Sequence, residues 1–181
     1  SIDNGGTGMH RRTVLQGGLT LVATAIAGSN DSHARQAPVM PDDARFMKLA
    51  IEEAAKAEFP FGAVIVKNGD VLARGHNRTR ADRDPTAHGE MVAIRAFLSA
   101  HGPDMFEGAT LYTSGEPCCM CMGAILWCGI GRLVYAAPLQ QLSTKVGQIM
   151  LSAEDVASKA SFVPIEISGP VLSEDALRLF K

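Results

Sequence analysis

The spacing of apolar residues in the first half of the chain predicts a helix followed by a β-hairpin. A helix opens at Pro41, with acidic residues in its first turn, where the helix dipole favours them. Two apolar runs, residues 61–66 and 71–75, flank the pair Asn68-Gly69, which is the strongest short-range signal for a hairpin. The apolar face of the helix is formed by Phe46, Leu49, Ala50 and Ala54.

The second half of the chain alternates predicted strands with predicted helices. The strands cover residues 110–113, 132–136 and 163–167. The helices cover residues 87–100, 117–128 and 153–160, followed by a C-terminal helix capped by Ser173. Pro164 places the last strand at a sheet edge, because proline cannot donate a hydrogen bond to a neighbouring strand. This alternation indicates an α/β layered domain over residues 41–181.

The N-terminal region differs in composition from this domain. Residues 1–8 read as an expression-vector remnant, which makes Met9 the native start. Arg11 and Arg12 directly precede an apolar run, residues 14–27, that contains no acidic residue and is short for a membrane span. Paired arginines before such a run are typical of an export signal of the twin-arginine type.

We therefore expect residues 9–34 to be an export signal and the protein to be periplasmic or otherwise exported. Small residues suited to cleavage occur at positions 25–27 and 32–34. No membrane attachment is expected after the signal is removed. The alternatives are an amphipathic first helix of the domain and a cytoplasmic protein.

Length and charge narrow the class of partner. The 181 residues suit one domain with an appendage, and 46% of them are hydrophobic, enough for a core without disulfide bonds. The formal net charge is −2, whereas proteins that live on nucleic acid usually carry a basic surplus. The charge favours a small-molecule partner, and no nucleic-acid partner is expected.

The four cysteines stand close together, at positions 118, 119, 121 and 128. A secreted disulfide framework spreads its cysteines so that the bridges close loops, whereas this clustering is typical of a metal site. Cys118 and Cys121 are spaced i, i+3 at a predicted helix start, and His88 stands at the start of another helix. One imidazole and two thiolates suit zinc.

Three protein ligands would leave one zinc coordination position open for water, as in catalytic rather than structural zinc sites. Glu90, two residues after His88, could accept a proton from that water and pass it on as a general acid. The rival hypothesis is a structural site with Cys119 as fourth ligand, in a binding module that is not an enzyme. Adjacent helical residues diverge by about 100°, which argues against that site. Cys119 and Cys128 are then expected to be buried thiols.

The combination of His88-x-Glu90 with Pro117-Cys118-x-x-Cys121 resembles the signature of the cytidine and deoxycytidylate deaminase superfamily. Within that superfamily the chain is most similar to the guanine deaminases and the tRNA adenosine deaminases. The matching stretches are residues 60–66, 75–78, 84–90, 111–118 and 123–125. The resemblance implies a three-layer α/β/α sandwich around a mixed five-stranded sheet, in a homodimer or larger assembly.

The resemblance also implies roles for individual residues. His88, Cys118 and Cys121 would bind Zn²⁺, and Glu90 would be the catalytic proton carrier. The expected substrate contacts are Asn77 as a hydrogen-bonding partner of the base, Phe61 and Trp127 as aromatic walls, and Ala87 beside the first metal ligand.

Two departures from the family pattern stand out. Gly89 replaces the usual alanine, and we expect it to loosen the helix start slightly. Residues 138–150 contain no Asp or Glu, whereas many guanine deaminases carry an acidic residue there, and this weighs against guanine.

The sequence therefore predicts hydrolytic deamination of a free nucleobase or related aminated heterocycle by zinc-activated water, in the manner of guanine deaminase. The alternatives are adenosine-to-inosine deamination in tRNA, a cytosine- or cytidine-type deaminase, and the structural-zinc module.

Overall fold

The computed structural model describes residues 34–180. The expected vector remnant and all but the last residue of the expected export signal lie outside the described residues, as does Lys181. The strands are β1 (Ala34–Gln36), β2 (Gly62–Lys67), β3 (Asp70–His76), β4 (Thr110–Gly115), β5 (Arg132–Ala137) and β6 (Ile165–Ser168). The α-helices are α1 (Asp43–Ala54), α2 (Gly89–His101), α3 (Cys119–Trp127), α4 (Leu139–Leu142), α5 (Ala153–Ala157) and α6 (Ser173–Leu177).

The longest described helix, α2, has 13 residues, and none of the helices in residues 34–180 has the length and apolar character needed to cross a bilayer.

The hairpin predicted from Asn68-Gly69 is present. Strands β2 and β3 pair antiparallel, and Lys67 faces Asp70 across the two-residue turn. Both turn residues have positive φ, 53° and 84°, as the type I′ turn of tight hairpins requires. The asparagine and the glycine tolerate this conformation, so the local sequence alone determines where the chain reverses.

All six strands form one mixed sheet in the order β1-β6-β5-β4-β2-β3. Strands β4, β5, β6 and β1 run parallel, and β2 joins β4 antiparallel. The predicted sheet had five strands; the sixth, β1, pairs with β6 through Ala34 opposite Ile165. The prediction that β6 is an edge strand is therefore wrong. Pro164 immediately precedes β6, so its lack of an N–H group does not interrupt the pairing.

Helices cover both faces of the sheet, which confirms the three-layer α/β/α architecture. Successive residues of β2 pack on opposite faces of the sheet. Ile65 belongs to the core beneath α2 and α3, and Val64 belongs to the core beneath α1 and α6. Phe97 of α2 and Met47 of α1 are fully buried in these two cores. The sheet thus holds the starts of α2 and α3 on the same side.

A buried ion pair joins α1 to the sheet. The guanidinium of Arg132 on β5 donates to both carboxylate oxygens of Asp43, at 2.7 and 2.8 Å. The same carboxylate accepts from the Tyr112 hydroxyl at 3.0 Å and the Met40 amide at 2.6 Å. Burial opposes ionisation of Asp43, but these donors outweigh it and lower the pKa of the carboxyl below its ordinary value of 3.8.

Glycines allow both long helices to approach the sheet closely. A Cβ atom at Gly62 would lie 2.2 Å from the Ala54 nitrogen of α1, and one at Gly75 would lie 2.4 Å from the Ala93 nitrogen of α2. A Cβ at Gly89 would lie 2.9 Å from the carbonyl oxygen of Phe61. The sequence led us to expect only a slight loosening of the helix start at Gly89. The structure shows a further role, because the missing side chain lets α2 begin against the backbone that enters β2.

Helix starts differ by one or two residues from those predicted. Helix α2 begins at Gly89 rather than residue 87, and α3 begins at Cys119, so Pro117 precedes the helix instead of occupying its first position. Before α6, Leu172 adopts a left-handed φ of 57°, and the Ser173 hydroxyl donates to the Gln141 side chain instead of capping the helix.

Candidate active site

The two loops that carry the candidate metal ligands leave the same side of the sheet. His88 is the N-cap residue of α2, with φ −67° and ψ 158°, and Cys118 is the N-cap residue of α3, with φ −64° and ψ 166°. Both residues are therefore extended, each one step before its helix turns away. Cys121 follows in the first turn of α3 and is fully buried.

The three side chains converge at spacings that suit a tetrahedral zinc ion. Nδ1 of His88 lies 3.6 Å from Sγ of Cys118 and 3.6 Å from Sγ of Cys121. Zinc bonds of about 2.0–2.1 Å to nitrogen and about 2.3 Å to sulfur at tetrahedral angles place the ligand atoms about 3.5 Å apart. The ligand set therefore fits zinc without rearrangement.

Among residues 34–180, His88, Cys118 and Cys121 form the only group of three or more His, Cys, Asp or Glu side chains close enough together to hold a metal ion. Cys119 is not part of it, so the fourth ligand required by the structural-zinc hypothesis is lacking among the described residues. Cys119 and Cys128 are half-buried rather than buried, in contrast to the prediction.

The cluster already favours a thiolate at one position. A hydrogen bond from the Cys121 thiol lowers the pKa of Cys118 to about 4 against the opposing effect of burial, and His88 acts in the same direction. The shared hydrogen bond and burial raise the pKa of Cys121. The contact with Cys118 raises the pKa of His88. Thiolate is the form of cysteine that binds metal.

Glu90 stands beside the metal ligands without joining them. It lies in the first turn of α2 and is only 4% exposed, and its Oε1 accepts a hydrogen bond of 3.2 Å from the Thr113 hydroxyl on β4. Burial, and after it the negative charge of Cys118, raises the pKa of the Glu90 carboxyl, while other contacts oppose the rise. The carboxylate is thus held by Thr113, and it also shares a hydrogen bond with the thiol of the metal ligand Cys121.

These groups border one cavity of about 220 Å³. Five of the sequence-predicted site residues line it: Phe61, Asn77, His88, Glu90 and Cys118. Sequence reasoning missed the remaining lining residues, Phe59, Thr79, Glu116, Val146, Gly147 and Gln148. The last three lie between α4 and α5, where no periodic pattern marks a residue as facing inward.

The amide of Asn77 is held in one orientation. Its Oδ1 accepts hydrogen bonds from the backbone N–H of Thr79 at 3.2 Å and from the Thr79 hydroxyl at 2.9 Å. Because a backbone N–H can only donate, the oxygen must face Thr79. The Nδ2 group has no partner among the described residues and can donate to a ligand in the cavity.

Two predicted substrate contacts do not reach the cavity. Trp127 ends α3, nine residues after Cys118, or about 13 Å further along a helix that rises 1.5 Å per residue. It is 78% exposed and stacks on Phe162. Ala87 is buried, and its carbonyl accepts a hydrogen bond from the Arg78 amide, which closes the loop before α2.

Two clefts that share lining residues with the cavity contain basic side chains. Phe59 and Val146 also border a cleft of about 550 Å³ that reaches Lys145 and Arg178. A smaller cleft, which shares Phe59 and Asn77 with the cavity, contains Lys56, Arg78 and Arg80. Most of these cations have carboxylate partners, whereas Lys145 has no ion-pair partner among the described residues.

The chain is similar to deaminases that act on tRNA and on guanine. It is 43% identical over 102 residues to the tRNA-specific adenosine deaminase of Bacillus subtilis, and the matched region covers 54% of this chain and 63% of that relative. It is 49% identical over 78 residues to the guanine deaminase of the same organism, covering 43% of this chain and 50% of that relative. The chain thus spans less than two thirds of either protein.

A solved structure shares the fold. It comes from a study of A-to-I editing by tRNA:A34 deaminases and superposes with a TM-score of 0.62 at 36% identity, covering 75% of this chain and 98% of that one. Relatives that act on tRNA contradict the expectation that no nucleic acid takes part. That expectation rested on the net charge and on the expected export signal. Net charge is a sum over the chain and does not report basic side chains grouped at one opening.

The family comparison covers the whole cluster of metal ligands. Residues 40–137 match the model of the cytidine and deoxycytidylate deaminase zinc-binding region. This segment is more than half of the chain and contains His88, Glu90, Cys118 and Cys121. Its geometry suits zinc, as the family requires, and the surrounding sheet has the family's architecture. On this ground the chain belongs to the zinc-dependent cytidine and deoxycytidylate deaminase family of hydrolytic enzymes.

Proposed function

We propose that this enzyme hydrolyses the exocyclic amino group of an adenosine in tRNA, converting it to inosine. The observation that carries the proposal is the cavity: two of the three metal ligands, His88 and Cys118, border one small space together with Glu90 and Asn77. Phe59 of that space also borders two clefts that contain basic side chains. Similarity to tRNA-specific adenosine deaminases supports the same substrate.

The chemistry follows from the arrangement of the protein's own groups. Zinc held by His88 and the two cysteines supplies a Lewis acid that makes a water molecule nucleophilic near neutral pH. Glu90 lines the same space beside His88 and Cys118, so its carboxylate can take a proton from the attacking water. The water oxygen bonds to the amino-bearing ring carbon, Glu90 returns the proton to the amino nitrogen, and the C–N bond breaks to release ammonia.

Substrate contacts come from Asn77 and two phenylalanines. Nδ2 of Asn77 donates to a ring nitrogen, since adenine presents acceptor nitrogens along its edges. Phe61 forms a wall of the cavity, and Phe59 stands at its mouth, where it also borders both clefts. Stacking of a base on such rings contributes about 1–3 kcal/mol.

The part of the cavity lining that residues 146–148 contribute is neutral. Gln148 lines the cavity from a segment, residues 138–150, that contains no carboxylate. An amide side chain can both donate and accept, and paired hydrogen bonds to adenine are the typical use of Asn and Gln. A neutral wall therefore suits adenine better than a ring whose N–H donors would pair with a carboxylate.

A free guanine is the second candidate. It is favoured by the 49% identity to a guanine deaminase and by the ion pairs that already neutralise most of the basic side chains at the mouth. Export directed by residues 9–34 would also favour a free base, because an exported enzyme does not meet tRNA.

A substrate panel separates the two candidates. Zinc-loaded protein is incubated with an anticodon stem-loop containing adenosine at the wobble position, and separately with free guanine, adenosine and cytosine. Inosine in the digested stem-loop, with little ammonia from the free compounds, is the expected result. Release of ammonia from guanine, together with a stem-loop that stays unchanged, would contradict the proposal and support the second candidate.

A further inference from the structure

One buried carboxylate connects the metal-ligand loop to a separate part of the chain. Glu116 stands two residues before Cys118 and is 7% exposed. Its Oε2 accepts a hydrogen bond of 2.8 Å from the backbone amide of Leu139, and its Oε1 accepts one of 2.9 Å from the backbone amide of Ala153. Both oxygens are therefore used, and neither partner is a side chain.

The two amides belong to Leu139 and Ala153, which are the first residues of α4 and α5. The first amides of a helix have no carbonyl partner within the helix, so they need an acceptor from elsewhere. Residues 139–153, which we call the pocket arm, run between these two points. Val146, Gly147 and Gln148 in the middle of the arm line the active-site cavity.

The arm has few other polar attachments. Among the described residues, every hydrogen bond made by residues 143–151 is to a neighbour within the arm. Buried Leu139, Leu142 and Ala153 anchor its two ends by packing. Hydrogen bonds to an ionised acceptor are about twice as strong as neutral ones, so one carboxylate that holds both ends limits where the arm can lie.

We propose that Glu116 is a positioning residue, which fixes the pocket arm against the metal-ligand loop and so places the wall formed by Val146–Gln148. Glu116 transfers no proton and binds no metal in this role; it acts through the arm. The part of the inference that concerns substrate rests on the proposed deaminase function, whereas the attachment of the arm does not.

The test compares Glu116→Gln with Glu154→Gln. The first variant keeps the size of the side chain but replaces one acceptor oxygen with an NH₂ group that cannot accept from a backbone amide. Glu154 is its matched control, because it neighbours Ala153 but is exposed and bonds Gln36 away from the cavity. Each protein is measured by hydrogen–deuterium exchange, zinc content and steady-state kinetics.

For Glu116→Gln we expect amide exchange in peptides from residues 139–153 to accelerate about tenfold or more, since a lost hydrogen bond to a charged group changes an equilibrium by at least that factor. Exchange in α2 and the zinc content should not change. KM should rise about tenfold with kcat within about twofold of wild type, because the wall moves and the reacting groups do not. Glu154→Gln should match wild type throughout.

Unchanged exchange in the pocket arm would overturn the proposal, as would faster exchange with an unchanged KM in an active enzyme. If wild type deaminates nothing, the proposed function fails while the exchange comparison still decides the role of Glu116. The wild-type protein provides a test that needs no variant. The amides of Leu139 and Ala153 should exchange more slowly than those of Gln140 and Glu154, which have no described partner, and equal rates would contradict the attachment.

Discussion

At the scale of single residues, the chemistry depends on a buried carboxylate that is not itself a metal ligand. Glu90 is 4% exposed, accepts a hydrogen bond from Thr113 and lines the cavity beside His88 and Cys118. The cluster of metal ligands does not include Glu90, so removal of the carboxylate should leave metal binding intact.

Glu90→Gln should therefore lower kcat by at least about 10²-fold, the usual contribution of a general acid–base group. Zinc content should equal that of wild type. Because burial disfavours the charged carboxylate, the thermal midpoint should not fall. Turnover and metal content measured on the same samples check this, and a variant that keeps more than a tenth of wild-type kcat would contradict the role of Glu90.

The pair of Asp43 and Arg132 should control stability in acid. The folded-state pKa of Asp43 is depressed, so its contribution is complete above the unfolded value of about 3.8. It is lost as the pH falls through the lower folded value. At pH 7, Asp43→Asn leaves a buried guanidinium without its countercharge and should cost about 3–5 kcal/mol of unfolding free energy.

Denaturant titrations at pH 7, and at steps between about pH 5 and pH 2.5, measure this effect. Wild type should lose stability steeply at the acid end, and Asp43→Asn should show a shallower dependence. Asp82→Asn is the control, since the Asp82–Arg78 pair is exposed and its loss should change stability little. If the unfolding free energy of wild type and of Asp43→Asn fell equally as the pH is lowered, the role of the Asp43–Arg132 pair in acid stability would be contradicted.

The metal ligands and Glu90 were predictable from the sequence because they form two short motifs. Glu90 follows His88 by two residues, Cys121 follows Cys118 by three, and each pair stands at a predicted helix start. Sequence spacing failed for Trp127, because position along α3 rather than residue type decides what reaches the cavity. Glu116 and Gln148 were missed for another reason. Their positions depend on residues 139–153 folding back over the metal-ligand loop, and a single sequence carries no periodic signal for such a contact.

At the scale of elements, the site depends on how closely α2 approaches the sheet. His88 and Glu90 stand at the start of this helix, so a displacement of the helix moves both. A Cβ at Gly75 would lie 2.4 Å from both the Ala93 nitrogen and the Gly89 carbonyl oxygen, all of them rigid backbone. The glycine in β3 therefore sets the position of groups that are distant from it in sequence.

Gly75→Ala should lower the unfolding free energy by about 1–3 kcal/mol, the usual cost of overpacking. It should also reduce kcat/KM by up to about 10²-fold, since a displacement near 1 Å can cost that much. Gly123→Ala is the matched control, because nothing lies within 4 Å of its added Cβ, and it should gain up to about 1 kcal/mol in helix α3. Denaturation midpoints and kinetics measure both, and equal stability of the two variants would contradict the close approach.

The hairpin and the alternation of strands and helices were predictable because turn chemistry and apolar periodicity are local. Strand β1 was not, since Ala34–Gln36 has only three residues, and its pairing depends on an exposed edge of β6. The role of Gly89 also required the structure, because the contact that excludes a side chain lies in a different element.

At the scale of the whole molecule, net charge and local charge lead to different conclusions about substrate. The chain sums to −2, yet basic side chains border both clefts at the active-site mouth. Binding of the proposed tRNA substrate would depend on these local cations and would weaken with salt. The absence of Asp and Glu in residues 138–150 was visible in the sequence, but which of these residues line the cavity was not, because they lie in the irregular segment between α4 and α5.

Lys145→Ala should raise KM for a tRNA stem-loop several-fold and reduce the salt dependence by about one phosphate contact. Turnover of a free nucleoside should not change, since Lys145 borders the cleft rather than the catalytic cavity. Lys159→Ala, an exposed lysine just beyond α5, is the control. Equal effects of the two substitutions on the stem-loop would show that the cleft beside Lys145 does not hold RNA.

The most direct test of a catalytic zinc centre is a titration of metal-depleted protein with Zn²⁺, with ammonia release followed on the best substrate of the panel. Turnover should rise in proportion to bound zinc, stop at one ion per chain, and be lost in Glu90→Gln at the same zinc content. Stoichiometric zinc binding with no turnover of any aminated base or stem-loop would contradict the account and leave the ion a structural role.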